Sequence, residues 1–285
     1  MKWKLLNKQE IKDKDQLLKI LLNNRGLKTK KEIDDFLDPK KIKDLTHKDL
    51  GLSSSEIKKA ISRIKKAIKN KERIIVYGDY DADGICGVAV LWEALFKLKA
   101  DALPFIPSRD EGYGLKSKKV KEFAKDGVKL IITVDNGIRN KEEVAYAKSK
   151  GLEVIITDHH ILPENLEDLP DCLIINPANR KDNYPWPYLA GVGVSFKLVS
   201  ALVAKSKLPL NQKRLIIEKS LDLVAVGTIA DMVSLLGENR LLVKQGLQIL
   251  NQGKRHGLSE LVKISKGNNN KKLENTIIPS ALLPL

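Results

Sequence analysis

The sequence has little cysteine and no long hydrophobic run. Its two cysteines, Cys86 and Cys172, are too few for a disulfide framework or for a zinc site built from four thiolates. No stretch approaches the roughly 20 uncharged residues that span a bilayer. The first ten residues, MKWKLLNKQE, lack the apolar core of a signal peptide. These absences predict a cytoplasmic protein with no membrane partner.

Charge is unevenly distributed along the chain. The 285 residues carry a formal net charge of +15, and residues 1–70 alone hold 20 basic and 10 acidic side chains. Residues 71–253 are nearly neutral, and residues 254–272 are basic again. Basic ends attract a polyanion such as nucleic acid, although a lysine-rich composition that only solvates surface helices accounts for the same excess.

The spacing of apolar residues separates a helical start from an α/β region. Short helices are predicted over 16–22, 30–37 and 57–68. After residue 70, runs rich in Ile and Val cover 73–78, 102–107, 129–135, 153–158 and 172–176. They alternate with helical stretches, and further helices are predicted at 88–98, 194–204 and 212–226. This alternation predicts an α/β fold with a mainly parallel sheet, helices on both faces and short helices before it.

Three regions follow from these patterns. We expect a helical amino-terminal region at 1–70, an α/β domain at 71–253, and a basic linker with the start of a missing second domain at 254–285. The last nine residues, IIPSALLPL, are almost entirely apolar, and a compact domain rarely stops on exposed leucines. We therefore expect a chain that is cut short of its next domain.

Carboxylates and histidines follow three of the predicted strands. They are Asp79, Asp81 and Asp83 after the first strand, Asp135 after the third, and Asp158, His159 and His160 after the fourth. Ligands bind beyond the carboxyl ends of the strands in an open parallel sheet, and acids packed together repel one another when bare. We therefore predict that two divalent ions, about 3.5–4 Å apart, bind among them, as in two-metal phosphoesterases.

Other interpretations of this region are disfavoured. The Asp-x-Asp-x-Asp-Gly segment at 79–84 resembles the start of a calcium loop, but its twelfth position is Val90 where glutamate is required. The glycines at 78, 84 and 87 do not fit the Gly-x-Gly-x-x-Gly dinucleotide fingerprint. A single aspartate at a strand end is often only a cap or turn residue, but three clusters after three strands weaken that explanation.

The order of the motifs resembles a known family. Residues 158–160, Asp-His-His, are similar to the signature of the DHH phosphoesterases. Other segments resemble the RecJ-type branch of that family, which consists of single-strand-specific 5′ exonucleases. These segments are YGDYDADG at 77–84, PSRDEGYG at 107–114, TVDNGI at 133–138, NP at 176–177, LAGVGV at 189–194 and VGTIAD at 226–231. They follow one another in the family's order between residues 73 and 240.

The resemblance implies a role for each acidic or imidazole residue. The implied ligands of Mn²⁺ or Mg²⁺ are Asp79, Asp81, Asp83, Asp135, His159 and Asp231. Asp135 would bridge the two ions. His160 would contact the scissile phosphate or act as an acid, and Asp79 and Asp135 are placed with it among the catalytic residues. Asp222, nine residues before Asp231, competes with it for the last ligand position.

Four further residues are candidates for substrate binding. Arg109 lies in a glycine-rich loop and could hold a phosphate bidentately, although its spacing to Gly112 is one residue shorter than in the family's motif. Tyr113 could stack on a base or a sugar, or it could only anchor the loop. Gly191 and Gly193 could bring backbone N–H groups to a phosphate, or they could allow tight helix packing.

The resemblance implies a metal-dependent exonuclease that hydrolyses single-stranded DNA from the 5′ end in DNA repair and recombination. Its implied partners are single-stranded DNA and a single-strand-binding protein, and we expect a monomer. Two alternatives stay open. One is a phosphodiesterase acting on oligoribonucleotides or cyclic dinucleotides, and the other is an inactive, truncated nucleic-acid-binding module. Members of the family continue beyond this length into a second cleft domain and a strand-binding domain.

Overall fold

A computed structural model describes residues 10–38, 55–178 and 188–266. Of the basic linker and start of a further domain predicted at 254–285, residues 256–266 form a helix, and residues from 267 onward lie outside the described residues. The chain divides near residue 40 into two compact units. Within the described ranges, no helix has the length and apolar character that crossing a membrane requires.

The amino-terminal unit contains two short, capped helices. Helix α1 spans Lys14–Asn24, and the Asp13 carboxylate caps it by accepting a hydrogen bond of 2.7 Å from a backbone N–H of the first turn. Helix α2 spans Lys30–Leu37 and begins with a capping box, in which Thr29 and Glu32 each accept a hydrogen bond from the other's backbone N–H. Because these caps satisfy donors that the first turn cannot satisfy internally, short polar helices form here.

The second unit is built on a five-stranded sheet in which every strand pairs in parallel. The strands are β1 (Arg73–Tyr77), β2 (Ala102–Phe105), β3 (Val128–Val134), β4 (Glu153–Thr157) and β5 (Leu173–Ile175). Their order across the sheet is β2-β1-β3-β4-β5. Strand β2 therefore lies on one side of β1, and β3, β4 and β5 follow one another on the other side, so the strand order switches direction between β1 and β3. Ligands of open parallel sheets bind at the carboxyl ends of the strands beside such a switch. The crevice between β1 and β3 is therefore the expected place for a site.

Helices connect and cover the strands. The helices of this unit are α3 (Ser55–Asn70), α4 (Ala82–Lys97), α5 (Ser117–Lys125), α6 (Lys141–Ser149), α7 (Gly191–Ala204), α8 (Leu210–Ala230), α9 (Gly237–Leu250) and α10 (His256–Lys266). Helices α4, α5 and α6 alternate with the first four strands, and α7 to α10 follow the sheet. The predicted α/β class, with short helices before a parallel sheet, is confirmed.

Side chains of each strand alternate between two cores on opposite faces of the sheet. On β1, Ile74 and Val76 join the core formed with α3, α4 and α7, whereas Ile75 and Tyr77 join the core formed with α5 and α6. Since both faces are buried, the strands are nearly continuous runs of Ile, Val and Leu. Helix α3, which the sequence analysis groups with the amino-terminal region, contributes Ile64 to the first of these cores.

The free edge of the sheet at β2 is protected against further pairing. Pro104 has no backbone N–H, and the Trp92 indole N–H donates to the Ala102 carbonyl at 2.9 Å. Proline on an edge strand and covered edge groups are ways in which natural sheets avoid edge-to-edge association. The sheet therefore ends at β2.

Three helices are longer than the sequence predicts. The stretches predicted at 88–98, 194–204 and 212–226 correspond to α4, α7 and α8, which begin two to six residues earlier. Glycine is a weak helix former, and glycines at 84, 87, 191 and 193 hide the first turns of α4 and α7 from a pattern-based prediction. As a result, Asp83 lies in the first turn of α4, with Asp81 as its N-cap.

Helix α9 packs against α8 so closely at Gly246 that a larger side chain does not fit. A Cβ on Gly246 would overlap the Leu221 carbonyl oxygen and lie 2.6 Å from the Ala225 Cβ. We expect Gly246→Ala to lower the free energy of unfolding by about 2–3 kcal/mol, because overpacking forces the two helices apart. Urea denaturation followed by circular dichroism measures this change.

Gly257→Ala is the matched control. Gly257 lies in α10, and no neighbouring atom of the described residues lies within 4 Å of an added Cβ. This substitution should leave the free energy of unfolding within about 1 kcal/mol of the parent value, on the more stable side. Equal stability of the two variants would contradict the close packing of α8 and α9.

Candidate metal centre

Three loops place acidic and imidazole side chains at the carboxyl edge of the sheet. Asp79 and Asp81 follow β1, Asp135 follows β3, and His159 and His160 follow β4. Strands β1, β3 and β4 are neighbours in the sheet, and β1 and β3 meet at its switch point. The structure thus brings together side chains that are up to 81 positions apart in the sequence.

Asp135 lies at the centre of this cluster. The residue is 2% exposed, and its Oδ1 lies 3.1 Å from His159 Nε2 and 3.9 Å from His160 Nδ1. Its φ of +64° is in the left-handed region, which costs a non-glycine residue about 1 kcal/mol. A Cβ on Gly191 would lie 2.6 Å from Asp135 Oδ1. The start of α7 can pack on this carboxylate only because residue 191 is glycine.

Helices bring two more carboxylates to His159. Asp83, in the first turn of α4, accepts hydrogen bonds from the Gly191 N–H at 2.6 Å and the Val192 N–H at 2.9 Å. Its Oδ2 lies 3.9 Å from His159 Nε2, and the Oδ2 of Asp231, the residue after α8, lies 3.8 Å from the same nitrogen. The positive end of the α7 dipole therefore holds a carboxylate of the protein itself.

The potential ligand atoms form three overlapping groups. These groups are Asp79, Asp81 and Asp135; Asp135, His159 and His160; and Asp83, His159 and Asp231. Within each group, one side-chain nitrogen or oxygen of each residue lies within 4.8 Å of the others. Asp135 and His159 each belong to two groups, so neighbouring groups share a ligand.

Burial makes the cluster unfavourable as bare anions. Burial raises the pKa of Asp79, Asp135 and Asp231 above the ordinary value of 3.8, and burial together with the charge of Asp231 raises the pKa of Asp83 to about 7. Two buried oxygens, Asp135 Oδ1 and Asp231 Oδ2, accept no hydrogen bond from any described residue. Carboxylate oxygens combined with imidazole nitrogens suit divalent cations, so the residues present fit such ions.

His160 is held by Asp158, to which the sequence analysis gives no separate role. The buried Asp158 Oδ1 lies 2.8 Å from His160 Nδ1, while its Oδ2 accepts a hydrogen bond of 3.0 Å from the Ile138 N–H. Burial alone would raise the pKa of Asp158, but the hydrogen bond and charge of His160 lower it, and the same hydrogen bond raises the pKa of His160. The only sequence signal for this pair is the position of Asp158 directly before two histidines.

Tyr113 and Arg109 border the cluster in different ways. The Tyr113 hydroxyl donates to the Asp135 carbonyl at 3.1 Å and lies 3.1 Å from His160 Nδ1, while 42% of the residue is exposed. The Arg109 guanidinium lies 5.6 Å from the centre of the Tyr80 ring, which is a cation–π distance. The substrate-binding roles of Arg109 and Tyr113 stay predictions.

The remaining predicted residues have identifiable partners. The Gly191 N–H donates to a carboxylate of the cluster, and a Cβ on Gly193 would lie 3.3 Å from a side chain of the preceding segment. The Asp222 carboxylate binds the Arg255 guanidinium at 2.9 Å. Of the two competing carboxylates, the structure brings Asp231 to the cluster and turns Asp222 to an arginine.

Comparison with known proteins agrees with the fold. Residues 73–228 match the N-terminal domain of the DHH family. This match runs from the first residue of β1 into α8 and covers more than half of the chain. The chain belongs to the DHH family.

Relatives within this family include the single-stranded-DNA-specific exonuclease RecJ. The chain is 42% identical to RecJ of Bacillus subtilis over 245 residues, which are 85% of this chain and 28% of that protein. It is 41% identical to RecJ of Thermus thermophilus over 192 residues, which are 67% of this chain and 27% of that protein. The chain therefore spans little more than a quarter of the length of either relative.

Solved structures of RecJ have the same fold. The crystal structure of an exonuclease RecJ bound to manganese superimposes with a TM-score of 0.70 and 36% identity, and the match covers 82% of this chain and 57% of that one. RecJ of Thermus thermophilus in complex with Mg²⁺ gives a TM-score of 0.59 and 31% identity, covering 90% of this chain and 31% of that one. RecJ proteins similar to this chain have thus been crystallised with either ion.

Without metal, the chain should lose stability as the pH rises. The folded chain keeps a proton on Asp83 up to about pH 7, and the pKa values of Asp135 and Asp231 are raised in the same direction. The unfolded chain releases the Asp83 proton near 3.8, so the stabilisation that this proton gives is lost between those two values. Mn²⁺ binds the deprotonated carboxylates, so its effect on Tm should grow over the same range. Thermal unfolding should show a rise of about 5 °C or more near pH 8, with Mn²⁺ at about a hundredfold excess over its Kd, and little change near pH 5.

Two variants make this measurement specific to the cluster. Asp231→Asn should raise Tm in EDTA near pH 8, because it removes one repelling carboxylate, and it should reduce the rise that Mn²⁺ produces. Asp171→Asn changes an exposed side chain outside the cluster and should behave like the parent. A Mn²⁺ effect of equal size near pH 5 and near pH 8 would contradict the assignment of these carboxylates.

Proposed function

We propose that this chain is the catalytic part of a metal-dependent exonuclease that hydrolyses single-stranded DNA from the 5′ end in DNA repair and recombination. The observation that carries the proposal is the set of three overlapping ligand groups at the carboxyl edge of a DHH-family sheet. The chain is 42% and 41% identical to two single-stranded-DNA-specific exonucleases, and this identity supports single-stranded DNA as the substrate.

We infer that the cluster binds two divalent ions, Mn²⁺ or Mg²⁺. One ion would be held by Asp79, Asp81 and Asp135, and the other by Asp83, His159 and Asp231. Asp135 and His159, whose side chains approach to 3.1 Å, would join the two sites. When bound, such ions lower the pKa of a water molecule and neutralise the charge on phosphoryl oxygens.

The chain itself holds its carboxylates in place before a substrate arrives. The N–H groups at the start of α7 fix Asp83, and the Gly84 N–H fixes Asp81 by a hydrogen bond of 2.8 Å. The Asp135 N–H donates to the Thr157 carbonyl at 2.9 Å, which ties its backbone to β4. Preorganised charges of this kind lower the reorganisation that the reaction requires.

We infer that His160 moves a proton or binds the scissile phosphate. Asp158 binds its Nδ1 and favours the protonated ring, which leaves Nε2 to serve the substrate. The side chain is 45% exposed, so a phosphodiester lying over the cluster can reach it. Donation of the Nε2 proton would neutralise the leaving oxygen of the ester, or the protonated ring would bind an oxygen of the scissile phosphate.

We infer that Arg109 and Tyr113 contact the strand. A guanidinium binds phosphate oxygens bidentately, and an exposed tyrosine ring can stack on an unpaired base. Since 42% of Tyr113 is exposed although its hydroxyl is bound within the site, the ring offers a face next to the cluster. The net charge of +15 attracts a polyanion over a longer range.

Two alternatives use the same scaffold. A phosphodiesterase acting on oligoribonucleotides or cyclic dinucleotides would use the same ligands, whereas an inactive binding module would not need them. All residues of the three ligand groups are present, which favours an enzyme, and the identity to RecJ favours DNA. A cytoplasmic location, a monomeric state and a single-strand-binding protein as partner stay predictions.

Asp135→Asn should abolish hydrolysis. With Mn²⁺, the parent chain is expected to release mononucleotides from single-stranded DNA that carries a 5′ phosphate. The variant should lower kcat by about a thousandfold or more, because several kcal/mol of charge stabilisation are lost when the shared ligand is neutralised. Chromatographic quantification of the released nucleotides measures the rate.

Asp222→Asn is the matched control for a buried aspartate outside the cluster. This variant should lose stability, because Arg255 loses its partner, but its kcat should stay within about threefold of the parent. Undiminished hydrolysis by Asp135→Asn would contradict the metal centre. Hydrolysis of oligoribonucleotides in preference to DNA would favour the first alternative substrate class.

A further inference from the structure

Two cations are bonded to segments that contact or adjoin His160, and neither has a carboxylate partner among the described residues. Lys116 Nζ donates to the Tyr113 carbonyl at 2.8 Å, and the Arg139 guanidinium donates to the Ile161 carbonyl at 3.4 Å. The Tyr113 hydroxyl lies 3.1 Å from the His160 ring, and Ile161 is the next residue after His160. Each cation is therefore attached to a segment that borders the imidazole.

Two neighbouring lysines of the same segments have carboxylate partners. Lys119 lies 3.4 Å from a Glu111 carboxylate oxygen and 3.1 Å from one of Glu122, and Lys141 lies 3.7 Å from one of Asp168. Backbone carbonyls, by contrast, orient a cation without cancelling its charge. Lys116 and Arg139 thus differ from these two lysines in having a backbone carbonyl as partner and no carboxylate among the described residues.

Asn140 fixes the two cation-bearing segments relative to each other. Its Oδ1 accepts a hydrogen bond from the Leu115 N–H at 3.0 Å, and its Nδ2 donates to the Leu115 carbonyl at 3.3 Å. Leu115 precedes Lys116 and Asn140 follows Arg139, so the segments are joined at the residues next to the cations. A preorganised pair of cations loses less entropy when it binds an anion than two independent side chains do.

We propose that Lys116 and Arg139 bind the phosphate next to the scissile one, on a single strand that lies across the contact between Tyr113 and His160. The inference rests on the proposed function, because it places the scissile phosphate over the metal centre. The ligand groups of that centre serve the scissile phosphate alone. A neighbouring phosphate beside His160 would meet these two cations, which can form charge-assisted hydrogen bonds with its oxygens.

The first test compares substrates that have one phosphate and several phosphates. Bis(p-nitrophenyl) phosphate has a single phosphodiester, whereas a short single-stranded oligonucleotide has neighbouring ones. The double variant Lys116→Gln/Arg139→Gln should raise KM for the oligonucleotide about tenfold or more, with kcat within about threefold. Its kcat/KM for bis(p-nitrophenyl) phosphate should equal that of the parent. Lys141→Gln, an exposed lysine that has a carboxylate partner, is the matched control and should behave like the parent with both substrates.

The second test measures the number of phosphate contacts directly. Fluorescence anisotropy gives the affinity for a labelled single strand at several salt concentrations, in the inactive Asp135→Asn background with Mn²⁺. Adding the double substitution should make the slope of log affinity against log salt shallower by about 0.7, because the two cations contact one phosphate and each neutralised phosphate contributes about 0.7 on a single strand. Lys141→Gln should leave the slope close to that of the background.

The outcomes separate this inference from the proposed function. If the double variant keeps the parent KM and the background slope, the assignment of Lys116 and Arg139 is wrong, and the nuclease proposal is untouched. Equal losses with both substrates would place these cations at the scissile phosphate and would also overturn the inference. If the parent chain neither binds nor hydrolyses single strands, the proposed function fails and the inference fails with it.

Discussion

Repulsion among buried carboxylates is the constraint on which the rest of the structure depends. Asp135, Asp231 and Asp83 surround one imidazole nitrogen of His159 at 3.1, 3.8 and 3.9 Å. Burial and the like charges nearby raise the pKa of each of them. The carboxyls therefore avoid mutual repulsion either by keeping protons or by binding cations. Carboxyl groups whose pKa values are raised by burial and by like charges in a cleft are typical of functional sites.

Two parts of the fold determine where these carboxylates lie. The parallel sheet brings the acidic loops after β1 and β3 to one edge, and the start of α7 supplies N–H groups that bind Asp83. Gly191 contributes to the positions of two carboxylates, because its N–H binds Asp83 and its lack of a side chain leaves room for Asp135. The left-handed backbone of Asp135 adds strain at the same point. Two hydrophobic cores, one on each face of the sheet, stabilise the domain against these local costs.

The sequence alone could predict the strands and most of the cluster, because parallel strands buried on both faces leave clear Ile and Val runs and the ligands follow them directly. It could not choose between Asp222 and Asp231, which lie nine residues apart on and just after one helix. Only tertiary packing turns the first to Arg255 and the second to His159. The place of Asp83 inside α4 was hidden by glycines in the first turns of that helix. The contact between Asp158 and His160 depends on side-chain directions within a loop, which adjacency in sequence does not determine.

The distribution of charge implies an order of binding in the proposed reaction. The chain is strongly basic overall, so a polyanion is attracted to it from a distance, but the cluster itself is acidic and would repel a phosphodiester at close range. Divalent ions reverse the sign of the cluster, so they must bind before the strand can lie over it. Lys116 and Arg139 are held by backbone carbonyls and not by the proposed metal ligands. Before the ions bind, these two residues can therefore hold a strand only beside the cluster. In the proposed reaction, metal is then required for productive binding of the strand as well as for the chemical step.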